Sequence, residues 1–246
     1  MKSLLSALGA VILITAASMQ GATHLQSGPR HTSLLELFTS EGCSSCPPAE
    51  ARFSALKGDA GLWRSFVPVA FHVDYWDRLG WRDRYSLASF TARQNSYAQL
   101  WHSESVYTPA FVLDGKGLKS WAANLRQPNE NSGILSATSD DGRKWTITFA
   151  PSSGTKGPWD AHVAWLGADI SSPVGAGENE GRKLEHDFVV LGIEQASIPD
   201  GAKQTNISLT NKGLTQTAPR YAVAIWVTRH DELTPVQATG GWIALR

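Results

Sequence analysis

Sulfur, charge of one sign and long apolar runs are all scarce in this sequence of 246 residues, and each scarcity narrows what the chain can do. Its only cysteines are Cys43 and Cys46. A secreted fold held by disulfide staples spreads its cysteines to close long loops, because a bridge across two residues constrains the unfolded chain little. A disulfide scaffold is therefore excluded. Acidic and basic residues balance at 22 each, and no basic stretch interleaves with aromatics, so the footprint of a nucleic-acid binder is missing. There is no Gly-rich phosphate loop, serine nucleophile elbow, metalloprotease helix, repeat or low-complexity block.

The one extended apolar run lies at the start, where Met1, Lys2 and Ser3 carry a positive charge into residues 4–17, which end in the small residues Ala16, Ala17 and Ser18. That is the layout of a secretory signal, and the run is shorter than the roughly 20 residues a spanning helix needs. The expectation is a signal peptide over residues 1–22, a mature chain without a membrane span, and an extracytoplasmic location, periplasmic or secreted.

What the sequence does contain is a generous core: 42% hydrophobic residues and ten tryptophans. The length predicts two domains. Residues 33–38 read as an apolar strand interrupted only by Glu36, and they run into the cysteines. Ala49, Phe53 and Leu56 fall at helical spacing with Gly58 as a stop, and residues 66–73 read as a buried strand, giving a βαβ unit. A second helix is expected over 86–101, capped by Ser86. Residues 110–113 form a strand and turn through Asp114-Gly115 into a hairpin, and a last helix spans 120–125. A polar linker follows at 127–133. Beyond it come alternating or apolar strand-like runs at 145–149, 163–166, 188–193, 206–210 and 221–227, without a convincing helix.

The chemistry centres on the dithiol Cys43-Ser44-Ser45-Cys46, set between a strand and a helix. At this spacing one thiolate can attack a substrate disulfide and the second thiol can resolve the product, while a helix N-terminus favours the thiolate. Redox exchange, metal binding and an inert disulfide all remain open. His72, near the end of its strand, could complete a soft copper or zinc site with Cys43 and Cys46, or be an ordinary hydrogen-bonded histidine. Trp76, Trp81, Trp101, Tyr75, Tyr85 and Tyr107 suit either a rim for a polypeptide substrate or core packing.

Three segments resemble the domain-of-unknown-function 1223 family: Leu37-Phe38-Thr39-Ser40-Glu41-Gly42-Cys43-Ser44-Ser45-Cys46-Pro47-Pro48-Ala49-Glu50, His72-Val73-Asp74-Tyr75-Trp76 and Val106-Tyr107-Thr108-Pro109. Gly177-Glu178-Asn179-Glu180-Gly181-Arg182 is similar to a further segment of it. The resemblance implies a thioredoxin-like fold, so the expected fold class is an α/β thioredoxin-like N-terminal domain over 30–127 plus an all-β antiparallel, sandwich-like C-terminal domain over 133–246. It implies Cys43 as the attacking thiol, Cys46 as the resolving one, and a cis Pro109. The Thr108 backbone would then hold an extended substrate, with Trp76 and Tyr107 beside it. No cofactor is implied, and the partner would be a protein or a small thiol. Pro47-Pro48 departs from the usual thioredoxin pattern, disfavours helical angles at Cys46 and places the helix start at Pro47 or Pro48. The segment 177–182 either packs across a domain boundary or forms a lid over the dithiol.

Overall fold

A computed structural model describes residues 22–118, 125, 129–209 and 216–245. The expected signal peptide, most of the helix at 120–125 and part of the linker lie outside these residues. The first part of the chain runs β1 (Thr23–Gln26), β2 (Ser33–Thr39), α1 (Pro47–Ala55), β3 (Phe66–His72), α2 (Ala88–Leu100), β4 (Ala110–Leu113) and β5 (Lys116–Leu118). It continues through β6 (Gly133–Ser139), β7 (Lys144–Pro151), β8 (Trp159–Ala168), β9 (Ile170–Pro173), β10 (Lys183–His186) and β11 (Val189–Ile198). β12 (Gln204–Ser208), β13 (Arg220–Arg229) and β14 (Pro235–Ile243) complete it.

All seven residues of β2 and of β3 are buried, which fits two near-continuous apolar runs covered on both faces. They pair in parallel from Ser33 opposite Phe66 to Thr39 opposite His72, and α1 lies in the crossover that parallel pairing demands. β4 lies antiparallel to β2 and turns into β5 through Asp114 and Gly115, at φ 48° and 77°, the two positive angles a tight hairpin turn needs. Glu36, the one charge in β2, is fully buried and accepts a 2.6 Å bond from Arg93 Nε and a short one from the Tyr97 hydroxyl, both on α2.

The expected fold class is overturned. The free edge of β3 is taken by β11, which runs parallel to it with Val189 opposite Ala70, and Ala70 N–H bonds Phe188 O at 2.8 Å. β8, β13 and β14 then continue antiparallel, so one eight-stranded mixed sheet has the order β14-β13-β8-β11-β3-β2-β4-β5. The protein is nearly all-β, not an α/β thioredoxin-like domain beside a separate β domain. The physical reason is backbone satisfaction: a strand buried on both faces cannot leave its edge amides and carbonyls unpaired. Periodicity reports how each strand is buried and is silent about which strand pairs with which.

A second sheet, β1-β6-β7-β12, covers one face of the large one. β8 shows the division. Ala161, Val163 and Trp165 face the core shared with β6, β7 and β12, while Ala164 and Leu166 join the core of β2, β3 and the helices. α2 starts at Ala88 behind an extended Leu87 rather than at Ser86, whose hydroxyl is spent on Asp77 Oδ2 and Asp83 O. β14 escapes sequence reading because it contains Gly240 and Gly241. Cβ atoms there would come within 2.7 Å of Trp63 and of Leu25, so the glycines serve close packing and not a turn.

Candidate functional site

The chain leaves β2 at Thr39 and reaches Cys46 at the N-terminus of α1 through a turn in which Cys46 N–H bonds Cys43 O at 3.2 Å. Cys43 and Cys46 are joined as a disulfide with Cα atoms 5.4 Å apart. Cys46 is helical, at φ −74° and ψ −40°, although Pro47 follows it; its carbonyl accepts the amides of Ala49 and Glu50 at 2.9 and 3.0 Å, which outweighs the steric bias. Both cysteines are 0% exposed, whereas Ser44 and Ser45 between them are exposed, with Ser45 Oγ 3.3 Å from Cys43 Sγ.

The backbone of the cysteine turn is gripped by the loop of the β9–β10 hairpin. Ser44 donates its amide and its hydroxyl to Glu178 Oε2 at 3.0 and 2.7 Å. Asn179 Nδ2 donates to Glu41 O and to Cys43 O, both at 2.9 Å, and Arg182 holds Asn179 Oδ1 at 2.6 Å. Gly177 and Gly181, at φ 79° and 76°, shape the loop. The serine bonds hold the Glu178 carboxyl below its ordinary range.

On another side, a Cβ at Gly42 would stand 3.0 Å from Trp76 Cβ, so the glycine lets Trp76 lie against the dithiol turn. Trp76 Nε1 donates to Thr108 Oγ1 at 2.8 Å, which ties that turn to the Thr108-Pro109 segment. The Thr108-Pro109 peptide is cis, as expected. Tyr107 is 58% exposed, its carbonyl fixed by Gln94, at the mouth of a cleft of ≈ 300 Å³ that Phe38, Trp101 and Leu118 also line. The other aromatics divide. Trp81 Nε1 donates to Glu41 Oε2 at 2.7 Å, Tyr85 packs edge-on against His72, and Trp101 stacks on Tyr97.

Beneath the turn lies a cluster of buried charge. His72 Nδ1 donates to Asp83 Oδ2 at 2.7 Å, and the same oxygen accepts Glu41 N–H at 2.9 Å. His186, at the end of β10, donates Nδ1 to Glu50 Oε2 at 2.5 Å and presents Nε2 to Glu41 Oε1 at 3.4 Å. The other Glu50 oxygen takes a short bond from the Thr39 hydroxyl. Burial opposes the imidazolium of His186, yet the carboxylates of Glu50 and Glu41 push its pKa up to about 10. His72 is likewise raised against its burial, by Asp83. In return, and against burial, His186 lowers Glu50 and Glu41, and His72 lowers Asp83.

The chain belongs to the DUF1223 family. The match to this family, described as protein of unknown function, runs over residues 34–228. No curated protein matches the sequence. Among solved structures, the X-ray crystal structure of protein AGR_C_4864 from Agrobacterium tumefaciens shares 23% identity over 85% of this chain and 92% of that one, with a TM-score of 0.57. HBP35 of Porphyromonas gingivalis shares 13% over 87% and 76%, with a TM-score of 0.54. At these identities the likeness is one of fold.

In this DUF1223 chain Cys43 and Cys46 come together, and Trp76 and Thr108 stand against each other beside them. His72 is turned to Asp83, while the two sulfurs are bonded to each other. Sequence reading missed Asp83 and His186 altogether, and saw Glu41 and Glu50 only as parts of a motif. A signal for Glu50 existed: one position past Ala49 and three before Phe53, it sits on the buried face of α1.

Proposed function

We infer that this is an exported protein whose Cys43–Cys46 pair exchanges with thiols and disulfides of a protein or small-thiol partner. The observation that carries the reading is that the chain's only two cysteines are bonded to each other in the turn between a strand end and a helix N-terminus. A partner thiolate attacks Cys43 Sγ, the Cys43–Cys46 bond breaks, a mixed disulfide forms and Cys46 leaves as a thiolate beside the positive end of α1. A second partner thiolate attacks the partner's own sulfur in the mixed disulfide, releasing Cys43 as a thiolate. The partner is thereby oxidised by two electrons and the protein reduced; the reverse sequence makes the protein the reductant. The linked Trp76 and Thr108 support a substrate-binding role for the segment around Pro109, and the charged, then apolar start of the sequence supports export.

Both cysteines are shut from solvent, so exchange requires the turn to open, against the bonds that Glu178 and Asn179 make to Ser44 and to the Cys43 carbonyl. Equilibrating the protein with glutathione buffers and trapping the free thiols tests the reading. The expected result is a reversible two-electron transition of the folded protein, together with disulfide reduction or isomerisation activity that Cys43→Ser abolishes. A bond that resists strong reductants until the protein unfolds refutes it.

A further inference from the structure

We propose that Glu50, His72 and His186 form a binding site for one divalent transition-metal ion of the zinc type, buried beneath the disulfide and separate from it. One donor atom from each of the three residues lies within 4.8 Å of the other two, and all three side chains are buried. Among the described residues His72 Nε2 has no hydrogen-bond partner, although His72 is 1% exposed. A buried polar atom left unpaired costs about 1–3 kcal/mol and calls for an explanation; of the unpaired atoms, His72 Nε2 is one that stands among other metal-ligand donors. The enclosed space against which Glu50, His72 and His186 stand is too narrow for a water molecule to supply the missing bond.

Two of the donors are oriented from behind by hydrogen bonds: Asp83 holds His72 by Nδ1 and so aims Nε2, and the Thr39 hydroxyl holds the far oxygen of Glu50. Behind His186, whose Nδ1 meets Glu50, the Glu41 carboxylate stands 3.4 Å from Nε2 as an ion pair without a hydrogen bond. Carboxylates behind metal-binding imidazoles fix ring orientation and raise basicity in this way. Two imidazoles and a carboxylate suit zinc and its first-row neighbours, whereas magnesium and calcium select oxygen alone. To ligate, the donors draw in until each lies about 2.1 Å from the ion. Charge balances in the exchange: one dication enters as the two imidazolium protons leave, and it faces the same carboxylates of Glu41, Glu50 and Asp83.

The proposal does not rest on the exchange reading, and its test is blind to it. Full-length oxidised protein is stripped with a chelator in denaturant and refolded with Co²⁺ or Zn²⁺, so that the closed site fills during folding. The expected result is one ion per chain, with a cobalt spectrum of nitrogen and oxygen ligation that lacks a sulfur charge-transfer band. H72Q and H186Q each weaken binding more than about tenfold, D83N weakens it by about 10- to 100-fold, and the C43S/C46S double variant binds normally. If a histidine variant fails to fold, D83N and the wild-type cobalt spectrum decide. The proposal is overturned if the wild-type protein takes up no ion, if uptake survives H72Q and H186Q, or if the spectrum shows sulfur ligation.

Discussion

Two histidines of this protein are almost equally sealed from water and ionise in opposite senses. His186, 2% exposed among Glu50 and Glu41, is pushed up to about 10; His162, 7% exposed on β8, is pushed down to about 3, by burial first and by Arg93 second. His162 stacks on Trp226 at 5.0 Å and has Thr228 Oγ1 at 3.2 Å, with no carboxylate among the described residues bonded to its ring. The lesson is that depth alone does not decide the charge of a buried group; the partners built around it do. Beneath the disulfide an imidazole meets carboxylates, whereas His162, on the same side of the large sheet as Trp226, meets an indole, a hydroxyl and the charge of Arg93.

The sharpest way to break the contrast is His186→Leu, which strands Glu50 and Glu41 without their cation. It is expected to cost about 3–5 kcal/mol of unfolding free energy by urea titration of the metal-free protein. His162→Leu should cost less, about 1–3 kcal/mol, because the orphan it leaves is one hydroxyl; adding Thr228→Val should recover most of that loss.

The pH dependence of the metal-free protein then separates the two rings. His186 contributes stability that is complete below 6.5 and is lost as pH rises toward 10, and His72 acts in the same sense. His162 contributes stability that is present above 6.5 and is lost as pH falls toward 3. Glu50 and Asp83, both lowered, add to the loss below 4.5 and 3.8. Thermal unfolding is therefore expected to peak near pH 6.5, with H186Q weakening the alkaline limb and H162L the upper acid limb. The smallest effect belongs to E178Q, which should leave the melting temperature unmoved and speed reduction of the disulfide by dithiothreitol up to about fivefold.

Much of the stretch from residue 33 to residue 118 was legible. β2, α1, β3 and the β4–β5 hairpin stand within a residue or two of their expected bounds, because apolar runs, helical spacing and the Asp114-Gly115 turn are local signals. The disulfide was legible as a constellation for the same reason. Long-range pairing was not: β11 beside β3 joins residues more than a hundred positions apart, and that one ladder overturned the fold class. The charged cluster was hidden likewise, since Glu41 and Glu50 flank the cysteines while His72, Asp83 and His186 come from three other stretches of the chain, and the five share no spacing.

The β9–β10 hairpin reaches around the cysteine turn from two directions, with Glu178 and Asn179 at its tip and His186 at its base. A displacement of the whole arm therefore shifts the amide that grips the Cys43 carbonyl and the imidazole beside Glu50 together. Outer turn and interior charge are coupled through a single piece of chain.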